Sequence, residues 1–423
     1  MTDEELFREY TAILREELVP AMGCTEPIAV AYCAALAQKT LGCMPQQITV
    51  TVSANIVKNV KSVIVPHTDG RRGIAAAAAA GIVSGAPEKE LQVLADMTPE
   101  QIEQMQQLLD TAEFIVCRSE KDYIFDIQVQ LCGGGHTAAA EIAGSHTNVI
   151  YLRRDDEVLR AVDYKEEGAH HTTDRSLLSV EKIVDYADNV DIDDVRETLQ
   201  RQIDCNLAIA EEGLRGSYGA CIGKILLRSY GSSVHNRAKA YAAAGSDCRM
   251  NGCELPVVIN SGSGNQGLTA SLPVIVYARE LHVSQELLYR ALVISNLVTI
   301  HLKTGIGELS AYCGATSAGC GAGAGITYLY GGRFREIAHT IVNAVAIDSG
   351  MICDGAKASC AAKIASAVEA GLLGMQMQMH DSQFYGGDGI VVKGVENTIR
   401  NIGRLARDGM RETDRTIISM MTD

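Results

Sequence analysis

The 423-residue sequence has no tryptophan, and only 5% of its residues are aromatic. It is also short of basic residues, because 37 lysines and arginines stand against 52 aspartates and glutamates, a formal net charge of −15. Binding to DNA or RNA depends on basic side chains that displace counterions from the phosphates. The composition therefore argues against a nucleic-acid partner and is typical of a soluble enzyme.

Targeting and membrane signals are missing as well. The opening MTDEELFREYTAILREEL is acidic and helical in period, and lacks the basic start and apolar run of a signal peptide. Of the two most apolar segments, 73–83 is too short to cross a bilayer and 337–351 carries Asp348. We expect a cytoplasmic protein with no membrane-spanning helix.

The length and the residue pattern predict an α+β fold with more than one domain. Helical spacing begins at the N-terminus, and glycine-rich turns separate helical segments after residue 205. Strand patterns occur at 48–57, 114–118, 123–131 and 148–153. We predict N-terminal helices at 1–44, a mixed α/β portion with a small sheet at 45–200, and an all-helical domain at 201–423.

Thirteen cysteines are the strongest chemical signal. Without a secretion signal, disulfides are not expected, which leaves metal ligation, catalysis or simple burial. Cys313 and Cys320 are seven residues apart, as are Cys353 and Cys360, a spacing too wide for a zinc knuckle but acceptable for an iron–sulfur cluster. The alternative is that these thiols fill tight contacts between helices rich in small residues. We expect a structural role for Cys33, Cys43, Cys117, Cys205, Cys221, Cys248, Cys253 and Cys320.

Cys24 lies in AMGCTEPIAVA, directly before a helix opened by Pro27. A thiol at a helix N-terminus has a lowered pKa, so Cys24 is expected to be partly thiolate at neutral pH. The alternative is a small buried residue at a helix cap.

Three motifs resemble the L-cysteine desulfidase family, which is related to the α-chain of bacterial iron–sulfur L-serine dehydratases. They are GCTEPIAVA at 23–31, LSAYCGA at 309–315 and MICDGAKASCA at 351–361, and the resemblance extends over nearly the whole chain. In addition, VINSGSGNQGLTASLPVI at 258–275 is similar to the glycine-rich substrate loop of the same superfamily. The resemblance implies a [4Fe–4S] cluster in which one iron, not fully held by the protein, binds the substrate as a Lewis acid.

The resemblance also implies roles for individual residues. The cluster ligands fall on Cys313, Cys353 and Cys360, and Cys24 is either a displaceable fourth ligand or the base that takes the Cα proton. Glu26 is a weaker candidate for the base and otherwise caps the helix. The implied reaction is β-elimination of hydrogen sulfide from L-cysteine, after which the aminoacrylate hydrolyses to pyruvate and ammonia.

Short polar side chains and backbone N–H groups in two glycine-rich turns are candidates for substrate binding. A carboxylate nest without a basic residue is predicted at Asn260, Ser261, Ser263, Gly264 and Asn265, although a plain connection between helices is the alternative. His136 and Thr137 in GGGHTAAA form the other turn and are otherwise surface residues. Asp354 and Lys357 are expected to tune the cluster by contacting its ligands rather than the iron itself.

Other activities are compatible with the same residues. A serine dehydratase would use the same cluster to eliminate water, since a thiol and a hydroxyl differ little in a pocket. A cluster-based redox or iron sensor and a helical scaffold are the non-catalytic alternatives. Lys303 as a pyridoxal phosphate lysine is disfavoured, because no alternation of strands and helices surrounds it. We expect a small amino-acid substrate and no membrane partner, and the sequence is compatible with a homo-oligomer.

Overall fold

The computed structural model describes residues 2–165, 173–307 and 309–422. Six of the strands within them form a mixed sheet in the order β3–β2–β4–β5–β6–β7, with β2 and β3 parallel and the other neighbours antiparallel. The remaining two, β1 and β8, form a separate antiparallel pair. The strands are β1 (Pro20–Met22), β2 (Gln47–Val52), β3 (Glu113–Arg118), β4 (Asp126–Gly133), β5 (His136–Ala143), β6 (Val149–Arg154), β7 (Glu157–Ala161) and β8 (Pro256–Val258).

Helices account for most of the other described residues, and with the small sheet they confirm the α+β class. None of the helices in the described ranges is long and apolar enough to cross a membrane. They are α1 (Asp3–Glu17), α2 (Thr25–Leu41), α3 (Ala54–Val60), α4 (Ile74–Ser84), α5 (Pro99–Thr111), α6 (Val180–Asn189), α7 (Ile192–Arg215), α8 (Ile222–Tyr230), α9 (Val234–Met250), α10 (Gly264–Glu280), α11 (Gln285–Ile306), α12 (Gly314–Leu329), α13 (Phe334–Ile347), α14 (Cys360–Met379), α15 (Val395–Arg404) and α16 (Arg411–Thr422).

The inner face of the sheet holds α2 in place. Side chains of β2 alternate between buried and half-buried, so that Ile48, Val50 and Val52 are fully buried. Helix α2 packs across β4 and β5 and lies beside α4, and the thiol of Cys33 donates to Ala140 O over 3.4 Å. This packing fixes the N-terminus of α2, where Cys24 lies.

Glycines in α12 and α14 let the two helices touch along their backbones. A Cβ added to Gly319 would lie 2.2 Å from the carbonyl oxygen of Ala367, and one added to Gly323 would lie 2.6 Å from that of Gly371. These glycines of α12 therefore serve the packing of this helix against α14. Because the helices lie side by side, their cysteine-bearing N-termini are held in a fixed relation.

Two sequence predictions of secondary structure are wrong in detail. The strand predicted at 48–57 ends at Val52, and α3 follows, because the hydroxyl of Ser53 donates to Ile124 O at the point where the chain turns. The turn predicted to include His136 and Thr137 is limited to Gly134 and Gly135, and His136 and Thr137 begin the strand β5. The division into three segments stays a prediction.

Candidate active site

One cavity brings together the four cysteines singled out in the sequence. Cys24, Cys313, Cys353 and Cys360 all line it, and they come from three distant parts of the chain. Side chains from α2, α3, α9, α10 and the loop after β5 complete the wall. Among these other residues are Glu26, Lys58, Asn59, His146, Arg249, Ser261, Ser263, Asn265, Gln266, Lys303, Tyr312 and Lys363.

A short antiparallel contact aligns Cys313 with Cys353. Tyr312 pairs with Ile352 in an isolated bridge. The N–H of Cys313 donates to Met351 O over 3.1 Å, and the N–H of Cys353 donates to Ala311 O over 2.6 Å. Cys313 and Cys353 are therefore diagonal neighbours on one face of the bridge.

Cys360 and Cys24 reach the cavity from two helix N-termini. Cys360 is the first residue of α14, and its thiol donates to the carbonyl of Gly355 over 3.6 Å. Cys24 is the N-cap of α2, and Cys360 packs against the small apolar cluster that Cys24 forms with Val63 and Met250. The fourth cysteine thus lies beside the other three.

The donor set of the cavity wall suits an iron–sulfur cluster. Such clusters are held by cysteine thiolates that come from separate parts of a chain and bind different irons. Cys313, Cys353 and Cys360 are three such thiols on one cavity wall, and Cys24 lies on the same wall. Among the described residues, no group of three His, Cys, Asp or Glu side chains is placed to hold a single metal ion.

Burial keeps the thiols of Cys313 and Cys360 protonated in the protein alone. It raises the pKa of Cys313 to about 12, with a further contribution from Cys353. It also raises the pKa of Cys360, against the opposing effect of Lys357. Since metal ligation requires thiolates, cluster binding would have to displace these protons.

The lowered pKa predicted for Cys24 is wrong. Although Cys24 caps α2, burial, followed by the adjacent Glu26 carboxylate, raises the pKa of its thiol well above the ordinary range, and Arg249 only partly offsets this. The helix dipole is therefore outweighed by the loss of solvent around the sulfur.

Hydrogen bonds hold the carboxylate of Glu26 next to this thiol. Cys24 Sγ donates to Glu26 Oε2 over 3.1 Å, and Asn59 Nδ2 donates to Glu26 Oε1 over 3.1 Å. The hydroxyl of Thr25 donates both to Glu26 Oε2 over 3.1 Å and to the carbonyl of Gly262 over 2.9 Å. The CTEP motif is thereby joined to the glycine-rich loop, and the Glu26 carboxylate is the hydrogen-bond acceptor of the Cys24 thiol.

The glycine-rich loop is a tight two-residue turn followed by a helix N-terminus. Asn260 and Ser263 exchange two backbone hydrogen bonds of 3.1 Å, and Ser261 and Gly262 between them have φ of 49° and 73°. Ser261, Ser263 and Asn265 line the cavity, whereas Gly264 does not. Asn260 is fully buried and donates to Asn296 Oδ1 over 3.0 Å, so its amide shapes the turn from behind.

The structure does not bring His136 and Thr137 to this cavity. His136 follows the turn between β4 and β5, where its Nδ1 lies 2.8 Å from Asp155 Oδ2 and its side chain is half exposed. The backbone N–H of Thr137 donates to the same carboxylate over 2.8 Å. These contacts close the hairpin at the protein surface.

Asp354 organises the turn between Cys353 and Cys360. Although burial raises its pKa, hydrogen bonds from Lys357 and Lys363 lower the pKa of Asp354 to about 2. Lys363 also donates to Ile352 O over 2.8 Å. The predicted tuning role of Asp354 and Lys357 stays a prediction, but both are bonded within this turn.

Comparison with known proteins places the chain in a family. Residues 88–419 match the family model described as serine dehydratase alpha chain. The chain belongs to the serine dehydratase alpha chain family. It is also 55% identical over 418 residues to a UPF0597 protein of Desulfitobacterium hafniense, covering 99% of this chain and 97% of the relative. UPF0597 proteins of Treponema denticola (45% identity, 99% of both chains) and Bacteroides fragilis strain ATCC 25285 (40% identity, 100% of this chain and 99% of the relative) are similar too.

Membership of the serine dehydratase alpha chain family points to a lyase-type enzyme, in agreement with the class of activity inferred from the motifs. The same match supports the wider relationship stated for the three motifs. The narrower assignment to L-cysteine desulfidases stays a prediction, because neither the family description nor the names of these relatives mention cysteine.

Sequence reasoning missed two cavity residues in particular, Arg249 and His146. Arg249 is a charged residue at the end of the alanine-rich α9, and such a position could have signalled a buried functional group. His146 lies in the loop after β5, and burial lowers the pKa of its imidazole. Its ring centroid lies 4.9 Å from that of Phe125, and Nε2 has no hydrogen-bond partner among the described residues. A neutral imidazole at the cavity wall can accept a proton.

Proposed function

We propose that this protein is a [4Fe–4S]-dependent lyase that eliminates hydrogen sulfide from L-cysteine. The observation that carries the proposal is the convergence of Cys24, Cys313, Cys353 and Cys360 on one cavity. Membership of the serine dehydratase alpha chain family supports the lyase class. The motifs of the L-cysteine desulfidase family support the choice of substrate.

The cysteines fit the proposed cluster in number and kind. Cys313, Cys353 and Cys360 would hold it, since their thiols come from separate segments of the chain and share one cavity wall. Bound with three protein thiolates, such a cluster supplies a Lewis-acidic iron that stabilises negative charge on the departing sulfur. The chain itself must bind the amino acid, remove the Cα proton and exclude competing water.

Cys24 and Glu26 are the proposed proton-transfer pair. Glu26 would accept the proton of the Cys24 thiol through their 3.1 Å hydrogen bond once the added positive charge of a bound cluster offsets the burial that raises the pKa of this thiol. The resulting thiolate would then take the Cα proton of the substrate. As the Cα–H bond breaks, its electron pair forms the Cα–Cβ double bond, and the Cβ–S bond breaks to release sulfide. Asn59 and Thr25 keep the Glu26 carboxylate in position during this exchange.

Anaerobic reconstitution with iron and sulfide, followed by parallel assays on L-cysteine and L-serine, tests the proposal. We expect a brown protein that forms pyruvate, ammonia and sulfide from cysteine faster than it forms pyruvate from serine. A brown protein that acts only on serine would replace the proposal with the second candidate, an L-serine dehydratase, which the family description favours. A brown protein inactive on both would favour a redox or iron sensor, and a colourless one would refute cluster binding.

A further inference from the structure

We propose that Arg249 binds the α-carboxylate of the amino-acid substrate, an inference that rests on the proposed function. Arg249 lies near the C-terminal end of α9, lines the cavity and has only 2% of its surface exposed. Its guanidinium is therefore a buried positive charge beside the four cysteines.

The guanidinium of Arg249 has no partner that would explain its burial. Its Nε and Nη2 atoms are both buried without a hydrogen bond, and among the described residues no carboxylate forms an ion pair with it. Arg175, another buried arginine, shows the usual arrangement, because it bonds the carboxylates of Glu16 and Glu17. Burial of a charge without a partner is strongly unfavourable. An anion that enters the cavity would supply what is missing.

The surroundings of Arg249 are shaped for an anion. A Cβ on Gly264 would lie 2.3 Å from Arg249 Nε, so the absence of a side chain at this position makes room for the guanidinium. Gly264 is also the first residue of α10, whose N-cap, Ser263, makes no side-chain capping bond. The first N–H groups of a helix lack partners within the helix and attract anions. A planar guanidinium matches a carboxylate with two parallel hydrogen bonds.

Two amides nearby complete a site for an α-amino acid. Asn265 Oδ1 and Gln266 Oε1 are buried without hydrogen-bond partners, and both side chains line the same cavity. Carbonyl oxygens of this kind accept hydrogen bonds from an ammonium group. A Cβ on Gly314 would lie 2.6 Å from Gln266 Cδ, so this glycine leaves space for the amide. The cavity wall therefore has hydrogen-bond donors for a carboxylate and acceptors for an ammonium group, the two charged groups of an amino acid.

This arrangement differs from the carboxylate nest predicted from the sequence, which had no basic residue. Gly264, predicted to bind substrate, contributes instead by leaving room for Arg249. The cationic side chain belongs to α9, which precedes the glycine-rich loop in the chain. The sequence of the loop itself therefore does not indicate it.

Binding and turnover of Arg249→Met and Arg249→Lys test the proposal, with Arg175→Lys as the matched buried control. L-Alanine and L-alaninamide are the calorimetric probes, because neither has a leaving group and only the first has a carboxylate. The reconstituted wild type should bind L-alanine at least about tenfold more tightly than the amide, and Arg249→Met should bind both equally. Arg249→Met should also lower kcat/KM for L-cysteine by about 100-fold or more, and Arg249→Lys should be intermediate.

Two further measurements separate a substrate role from a structural one. The cluster absorbance of Arg249→Met should match that of the wild type, and the variant should resist urea at least as well, because it loses an unpaired buried charge. Arg175→Lys should unfold at lower urea concentration with an unchanged KM.

The proposal is overturned if Arg249→Met binds L-alanine within about threefold of the wild type, or if the wild type does not distinguish alanine from its amide. Loss of cluster absorbance in Arg249→Met would also overturn it, because Arg249 would then balance the charge of the cluster. If Arg249-dependent alanine binding is found without turnover of cysteine or serine, the proposed function fails and the carboxylate site stands.

Discussion

Replacing Gly319 with alanine tests the contact that holds the two cysteine-bearing helices together. The new Cβ would lie 2.2 Å from the carbonyl oxygen of Ala367, closer than Cβ atoms in proteins approach. Because the obstacle is backbone, α12 and α14 must separate by about 1 Å. Such overpacking costs about 1–3 kcal/mol, and the better helix propensity of alanine offsets up to about 1 kcal/mol. We expect a net loss of about 1–2 kcal/mol in the free energy of unfolding.

The displacement should also affect the cavity, because Cys313 caps α12 and Cys360 begins α14. Reconstituted Gly319→Ala protein is therefore expected to hold less iron than the wild type under equal conditions. Urea unfolding followed by circular dichroism gives the stability, and iron content with visible absorbance gives the cluster occupancy.

Gly305→Ala is the matched control, since it makes the same change inside α11. There, the nearest atom to the new Cβ is the Cα of Gly403 at 3.4 Å, an ordinary contact. This variant should gain about 0.5–1 kcal/mol in the free energy of unfolding. If Gly319→Ala is as stable as Gly305→Ala and binds as much iron as the wild type, the tight crossing of α12 and α14 is refuted.

Three other tests use single substitutions, one of them with a matched control. Cys353→Ser should abolish the cluster absorbance, whereas Cys320→Ser, at a buried position outside the cavity wall, should keep it; equal colour in both would contradict the ligand assignment. Cys24→Ala should keep most of the colour and lose turnover, and complete loss of colour would make Cys24 a tight ligand instead. Burial raises the pKa of Asp247 to about 6. Proton binding to this carboxylate therefore stabilises the folded wild type below pH 4, and the stabilisation is lost as the pH rises through 6. Between pH 4 and 7 the unfolding free energy of the wild type should therefore decrease by up to about 3 kcal/mol more than that of Asp247→Asn. Parallel pH profiles of unfolding free energy for the two proteins would argue against the raised pKa.

The alternation of apolar and polar residues predicted those parts of the fold in which one face of an element is buried. The alternation in QITVTV reproduces β2 to within one residue at its start, because one face of that strand is buried. The same alternation continues through Ser53 into α3, where a hydrogen bond to Ile124, far along the chain, decides the backbone direction. A pattern of apolar residues does not encode such a long-range contact, so the pattern could not predict where the strand ends.

The same distinction applies to the cavity. The cysteines were recognisable because few residue types can hold iron, and their motifs resemble those of a known family. Arg249 and His146 belong to common residue types, and their importance depends on burial without a partner, which only the folded chain defines. The expected thiolate at Cys24 failed for a similar reason, since the helix N-terminus is visible in the sequence but its desolvation is not.

The charge around the cavity differs from that of the whole protein. Although the chain carries a formal charge of −15, the described side chains that line the cavity include four cations, Lys58, Arg249, Lys303 and Lys363, and a single acid, Glu26. Asp414 pairs with Lys58 at 2.6 Å, Asp354 pairs with Lys363, and Lys303 donates to Gly307 O. No ion pair among the described residues balances the charge of Arg249. Lys363 opposes the rise in the pKa of Cys313, and Arg249 opposes the rise in that of Cys24. Burial nevertheless prevails over both, so thiolates should form only when a metal cluster adds further positive charge. The cations of the cavity would therefore favour both forms of negative charge that the two proposals require, the thiolates of the proposed cluster and the carboxylate of the proposed substrate.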